Sequence, residues 1–261
     1  MKRKRTLIIA LAVVVALVAA YALRPPRKQY LSIATGGTGG VYFPLGGALA
    51  AILNEEIRGM EASARTTGAS VANANLLAQP PPDGVEMIFI QNDIAYFAHT
   101  GTEMFTGRPI PQLRGIATLY PEVVHLVATA ASGIRTVRDL VGKRVAVGAA
   151  GSGIEVNARQ ILQAFGIAYA QLGKTDFLSM AEATTGIRDG HLDAAFFTTG
   201  VGAAAVTELA RTVRVVLVAI SGPEVEALRR QFPFYAPFTI AAETYPGMAA
   251  AVPTVPVRAM I

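Results

Sequence analysis

The sequence has no cysteine, no tryptophan, three histidines and only 16% charged residues. Without cysteine there is no disulfide, no thiolate metal ligand, no thiol nucleophile and no lipoprotein acylation site. His99, His125 and His191 lie far apart. None stands at persuasive ligand spacing from another His, Asp or Glu, so each reads as a surface or satisfied core residue and no metal site is expected. The charged fraction falls below the roughly 25% of an average soluble domain, in part because of the N-terminus.

Residues 1–5, Met-Lys-Arg-Lys-Arg, precede seventeen uninterrupted apolar residues from Leu7 to Leu23. A basic stretch followed by an apolar run is the layout of a secretory signal, and Ala20-Tyr21-Ala22 fits a small-x-small cleavage pattern. The run also reaches the lower edge of the lengths that span a bilayer. Residues 1–23 therefore read as a signal peptide or a membrane anchor. Because the cations precede the run, both alternatives place the remainder outside the cytoplasm, in the periplasm. Membrane contact through the N-terminal helix is expected only if it stays uncleaved. The pI of about 9.6 does not signal nucleic acid. Residues 1–28 hold seven cations and no acid, and without them 16 Lys and Arg face 18 Asp and Glu, a net of −2. No nucleic-acid partner is expected.

After a spacer at 24–29 the pattern alternates between strands and helices. Strands are expected at Tyr30–Ala34, Glu61–Thr66, Val85–Gln91, Ile116–Tyr120, Val123–Ala128, Arg144–Gly148, Asp193–Thr198 and Val213–Ile220, with a turn at Tyr120-Pro121. Helices are expected at Val41–Ile57, Ser70–Ala78 (Ser70 as N-cap), from an Asn92 cap to His99, and at Thr136–Val141, Ile154–Phe165, Met180–Asp189 and Val201–Arg211. Alternation of this kind argues for an α/β fold with mostly parallel sheets covered on both faces. The division is lobe one at 30–125, lobe two at 126–230 and a return segment to lobe one at 231–261.

Ligands of open α/β sheets bind beyond the carboxyl ends of strands, and two loops occupy that position. Thr35–Gly40 has four glycines in six residues, and Gly148-Ala-Ala-Gly-Ser-Gly153 also links a strand to a helix. Glycine brings backbone N–H groups close to a ligand, and a following helix N-terminus favours an anion. Mere tight turning would also explain either loop alone. Tyr42 and Tyr120, beside candidate ligand loops, each offer a flat wall and a hydroxyl, or ordinary interlobe packing. Neither loop has the dinucleotide spacing, and Gly173-Lys-Thr175 lacks the earlier phosphate-loop glycine because residue 168 is Ala, so no cofactor is expected. Ser152 lacks the nucleophile-elbow frame because residue 150 is Ala. With no convincing acid/base pair, the chain does not read as an enzyme. Asp93, at a helix start, is explained by the helix dipole about as well as by ligand contact.

The stretch Ser32-Ile-Ala-Thr-Gly-Gly-Thr-Gly-Gly-Val-Tyr-Phe-Pro-Leu-Gly-Gly47 resembles the opening of the TAXI-type solute receptors of tripartite ATP-independent periplasmic (TRAP) transporters. Further matches follow at 68–73 (GASVAN), 90–96 (IQNDIAY), 119–124 (LYPEVV), 148–160 (GAAGSGIEVNARQ), 193–200 (DAAFFTTG) and 232–235 (FPFY). The resemblance implies a two-lobed periplasmic-binding-protein type II clamshell. It implies capture of a small organic anion or amino acid, with glutamate, glutamine or 2-oxoglutarate as usual candidates, and delivery to TRAP membrane permease subunits. A ligand-sensing module for a membrane signalling partner is the alternative. Carried over by position, lobe-one contacts are Gly36, Gly37, Thr38, Gly39 and Gly40, then Tyr42, Ser70, Asn73, Asn92 and Tyr120. These would position the ligand. Gly151, Ser152, Gly153 and Thr198 of lobe two would close on it. Ala72 stands where the family often has Glu and Ile154 where Thr is frequent, which bears on ligand identity. Family members continue past the match to Thr244-Tyr-Pro-Gly247, so an under-covered apolar face on lobe one and reduced stability are expected.

Overall fold

The computed structural model describes residues 13–15, 28–80 and 82–261. The expected signal or anchor lies outside the described residues except at 13–15, and of the 24–29 spacer only residues 28 and 29 are described. Among the described residues no helix is long and apolar enough to cross a membrane.

Two sheets organise the chain. In the smaller, β1 (Gln29–Ala34) lies between β2 (Met60–Arg65) and β3 (Met87–Ile88), all parallel. Helix α1 (Tyr42–Glu56) returns from β1 to β2, and α2 (Ser70–Leu77) from β2 to β3. Pro44 falls in the first turn of α1, where its missing N–H is tolerated. Gly46 sits where α1 crosses the sheet, and a Cβ there would meet Thr35 and, at 3.4 Å, Phe89.

The larger sheet contains seven strands, including β4 (Ile90–Gln91), β5 (Thr118–Thr129), β6 (Arg144–Ala146), β7 (Lys174–Asp176), β8 (Ala194–Thr199) and β9 (Val215–Val218). The return segment forms a hairpin, β10 (Phe238–Ile240) with β11 (Val252–Thr254), and then supplies β12 (Pro256–Met260) between β4 and β5. This sheet is mixed. Strands β6, β7 and β8 run parallel, whereas β5 pairs antiparallel with β8, β9 and β12. Period-two alternation on β5 sends Val124, Leu126 and Ala128 to one core and Val123 and Val127 to the other. The faces are covered by α3 (Asn92–Thr100), α4 (Gly153–Ala164), α5 (Met180–Arg188), α6 (Ala204–Thr212) and α7 (Pro223–Gln231).

Several expected elements are corrected. The Tyr120-Pro121 turn is not formed, and one continuous strand runs through it. Pro121 is tolerated because its register partner Arg258 gives its N–H to Asn92 Oδ1 at 2.9 Å, and because β8 begins pairing only at Val123. The expected strand 85–91 splits at Phe89, one half in each sheet. Ser70 and Asn92 are first helical residues rather than caps. Ala69, in the left-handed region at φ 72°, and Gln91 precede them. The helix expected at 136–141 is a single 3₁₀ turn, Val137–Leu140. The helix expected from Val201 starts at Ala204, and the strand expected at 213–220 shortens to β9. Strand β5 runs through residue 125 without a break. A groove of about 540 Å³, lined by Leu77, Ile88, Leu113, Ile116 and Met260 among others, opens beside the small sheet.

His125 is buried on β5 as a neutral ring. Burial pushes its pKa down to about 4. Its Nδ1 faces the Val123 carbonyl at 2.8 Å and so carries the proton, which leaves Nε2 to accept from the Tyr245 hydroxyl at 2.9 Å. That hydroxyl in turn accepts from the Gly202 N–H at 2.9 Å. Tyr245→Phe leaves His125 Nε2 unsatisfied and is expected to lower stability by about 1–3 kcal/mol in urea denaturation. An unchanged midpoint would show that the chain of bonds contributes nothing.

Candidate functional site

The two glycine-rich loops face each other across one cavity of about 60 Å³, room for a few waters. On one side are Gly36, Gly37, Gly40 and Tyr42, with Thr67–Ser70 and Gln91. On the other are Ala149, Ser152–Ile154, Ser179 and Met180, and Glu122, Thr198 and Thr199 form the floor. The walls touch directly, since the Ala72 N–H donates to the Gly151 carbonyl at 3.0 Å.

Four helix N-termini converge here. Helix α1 begins at Tyr42, α2 at Ser70, α4 at Gly153 and α5 at Met180, and all four residues line the cavity. First-turn N–H groups lack intrahelical partners, and each helix end carries partial positive charge. Two ends are capped. Ser152 Oγ accepts from Glu155 N at 3.1 Å, and Ser179 forms a capping box with Glu182. Among the described residues lining the cavity none is a cation.

Eight of the fourteen expected contacts line the cavity: Gly36, Gly37, Gly40, Tyr42, Ser70, Ser152, Gly153 and Thr198. Thr38, Gly39, Asn73, Asn92, Tyr120 and Gly151 do not. Asn73 is fully buried and works as a brace. Its Nδ2 donates to the carbonyls of Thr35 at 2.6 Å and Phe89 at 2.8 Å, and its Oδ1 accepts from Thr67 Oγ1 at 2.5 Å. Asn92 is spent on Arg258. Gly151, with φ 77°, gives its carbonyl to α2. Tyr120 lays its ring 3.3 Å from a Cβ placed on Gly200, with its hydroxyl unpartnered.

Sequence reasoning missed Glu122, Gln91, Thr199 and the Ser179-Met180 end. Glu122 is 4% exposed, and its Oε2 accepts from the Tyr42 hydroxyl at 2.6 Å. Burial, opposed by that bond and aided by nearby Asp93, pushes its pKa up to about 8. The signal was a carboxylate directly before the apolar run Val123–Ala128, but the supposed Pro121 turn would have left it in solvent. Asp93 lies outside the cavity. Its Oδ2 accepts from Asn157 Nδ2 at 3.0 Å, Asn157 Nδ2 also donates to Tyr235 Oη at 2.9 Å, and Tyr235 donates to Gln160 Oε1 at 2.6 Å. Burial raises the Asp93 pKa to about 6. This network ties α3 to α4 and the return segment. Among the described residues no His/Asp/Glu group is placed to hold a metal ion.

Solved structures of like fold share little sequence. The alkanesulfonate-binding protein SsuA from Xanthomonas axonopodis pv. citri, bound to MOPS, is 18% identical over 74% of this chain and 61% of its own, with a TM-score of 0.51. An R. palustris protein solved with adipate is 15% identical over 90% and 77%, with a TM-score of 0.50. A binding-protein component of an ABC phosphonate transporter from Pseudomonas aeruginosa is 12% identical over 87% and 82%, with a TM-score of 0.50. The chain thus spans about three fifths of the length of the sulfonate-binding protein. The architecture is the two-lobed α/β fold of periplasmic binding proteins. The NMT1-like family profile matches residues 33–261, nearly all that follows the N-terminal segment, and the chain is a member of the NMT1-like family.

Proposed function

We propose that the chain is an extracytoplasmic solute-binding protein. It holds a small carboxylate or amino acid (glutamate, glutamine or a 2-oxoglutarate-like acid) between lobes 30–125 and 126–230 and passes it to a TRAP-type permease as a TAXI-type receptor. The observation that carries this reading is the convergence of four helix N-termini on one cavity walled by both glycine-rich loops. Such ends favour anions, and N–H groups of both halves would bind the two ends of one solute. The proteins of like fold named above take sulfonates, phosphonates or adipate, all small anions. The ordered motifs from Ser32 to Tyr235 support the TAXI assignment. The basic and apolar N-terminus supports export.

Thermal unfolding against millimolar glutamate, glutamine, 2-oxoglutarate, adipate and an alkanesulfonate tests the reading. At one hundred times its dissociation constant a ligand of the folded state adds about 2.7 kcal/mol, a clear upward shift for at least one solute. A cooperative transition that none of them moves would contradict it.

A further inference from the structure

We propose that Glu122 is the specificity-determining residue of this cleft: it receives a cationic nitrogen of the solute, so that small acids bearing an ammonium are taken and their deaminated analogues are rejected. This rests on the solute-binding reading and names the solute's chemistry.

Glu122 is the one carboxylate among the described lining residues, and it lies in a wall without cations. Helix N-termini supply partial positive charge at the glycine loops, while the floor supplies a carboxylate. A solute with opposite charges at its two ends matches that polarity. A dicarboxylate would set a second negative charge on Glu122. Three further oxygens support the assignment. Gln91 Oε1, Thr198 Oγ1 and Thr199 Oγ1 line the same cavity, are buried, and have no hydrogen-bond partner. Thr199 pairs in register with Val123, next to Glu122. An ammonium has three donors and no acceptor, so it is the group that a carboxylate, an amide oxygen and hydroxyls can jointly satisfy. Tyr42 occupies one Glu122 oxygen from α1. The other titratable groups facing Glu122 are Asp93 from α3, whose charge helps burial keep Glu122 protonated until a cation arrives, and Tyr120 on its own strand, a neutral phenol whose own ionisation Glu122 disfavours.

Matched pairs decide the matter: glutamate with glutarate, aspartate with succinate, and alanine with propionate, titrated calorimetrically into the wild-type chain, Glu122→Gln and Glu122→Asp, with folding checked by circular dichroism. In the wild type the amino member of the binding pair is expected to bind about a hundredfold tighter than its deaminated partner, because an ion left unpaired in a buried site costs several kcal/mol. Glu122→Gln collapses that preference to within about tenfold while glutarate-type binding is kept or improved, and Glu122→Asp retains part of it. Wild-type affinity for the amino member is expected to rise about tenfold per pH unit from 6 to 7.5, as the ionised fraction rises, and Glu122→Gln flattens the profile. Equal or tighter binding of the deaminated members, or a preference that survives in Glu122→Gln, overturns the assignment and leaves the receptor reading intact. Binding of no member of any pair overturns the assignment, and the receptor reading falls with it only if the thermal-unfolding panel is silent as well.

Discussion

Glu122→Gln is expected to stabilise the protein at pH 8.5 and to leave it nearly unchanged at pH 4.5. An ordinary glutamate ionises near 4.5, whereas in the fold burial lifts Glu122 to about 8. The folded state therefore holds this proton more tightly than the unfolded chain. Below pH 4.5 both states keep it and nothing is lost. As pH rises from 4.5 to 8 the unfolded chain releases it first, and stability falls by up to about 1.4 kcal/mol per unit. Water penetration and relaxation reduce the full effect, so about 2–4 kcal/mol is the expected cost above pH 8. Glutamine keeps an acceptor for the Tyr42 hydroxyl and removes the titration. Urea midpoints for both proteins at the two pH values measure the difference. Equal destabilisation of the variant at both would mean that Glu122 contributes packing and hydrogen bonding rather than buried charge.

Asn73→Ala is expected to cost about 2–3 kcal/mol and to weaken solute binding as well. The side chain closes a knot under the first glycine loop. It donates to the carbonyl of Thr35, which opens that loop, and to that of Phe89, where the chain passes from the small sheet to the large one. Alanine leaves the Phe89 carbonyl buried without that donor, while the Thr35 carbonyl keeps only Thr67 Oγ1, which lies 3.0 Å from it and loses Asn73 Oδ1 as its other acceptor. Each orphaned buried group costs roughly 1–3 kcal/mol. Chemical denaturation reads the stability, and titration with the solute found by thermal shift reads the loop. A variant within about 0.5 kcal/mol of wild type would show that the loop holds itself without the brace.

The parts of the fold legible in sequence were those set by local pattern. β1, β2 and the glycine loops, together with the bodies of α1, α2, α3, α4 and α5, fall where alternation, glycine and periodicity put them. The failures share a cause. Val85–Gln91 is apolar with no breaker, so nothing local marks Phe89 as the switch between sheets. The switch is imposed by β1 on one side and by β12, some 165 residues further along the chain, on the other. Pro121 looked like a turn because proline usually ends a strand. It continues one here because neither neighbouring strand needs its N–H: Arg258 on β12 turns its own N–H away to Asn92, and β8 pairs only from Val123. Glu122 went unread as a direct result. Asn73 and Asn92 sit in quoted motifs, yet both are consumed by backbone groups. A motif position does not by itself tell a ligand contact from a brace.

Calorimetric titration of the best thermal-shift solute into the wild-type chain and into Gly153→Val tests the cleft most directly. Gly153 opens α4 against the Gln91 side chain, with which any Cβ there collides, so valine fills the space between the walls. The expected result is one solute per wild-type chain and at least a hundredfold weaker binding to a Gly153→Val protein that still unfolds cooperatively. Undiminished affinity in that variant would place the solute elsewhere and contradict the cleft as the binding site.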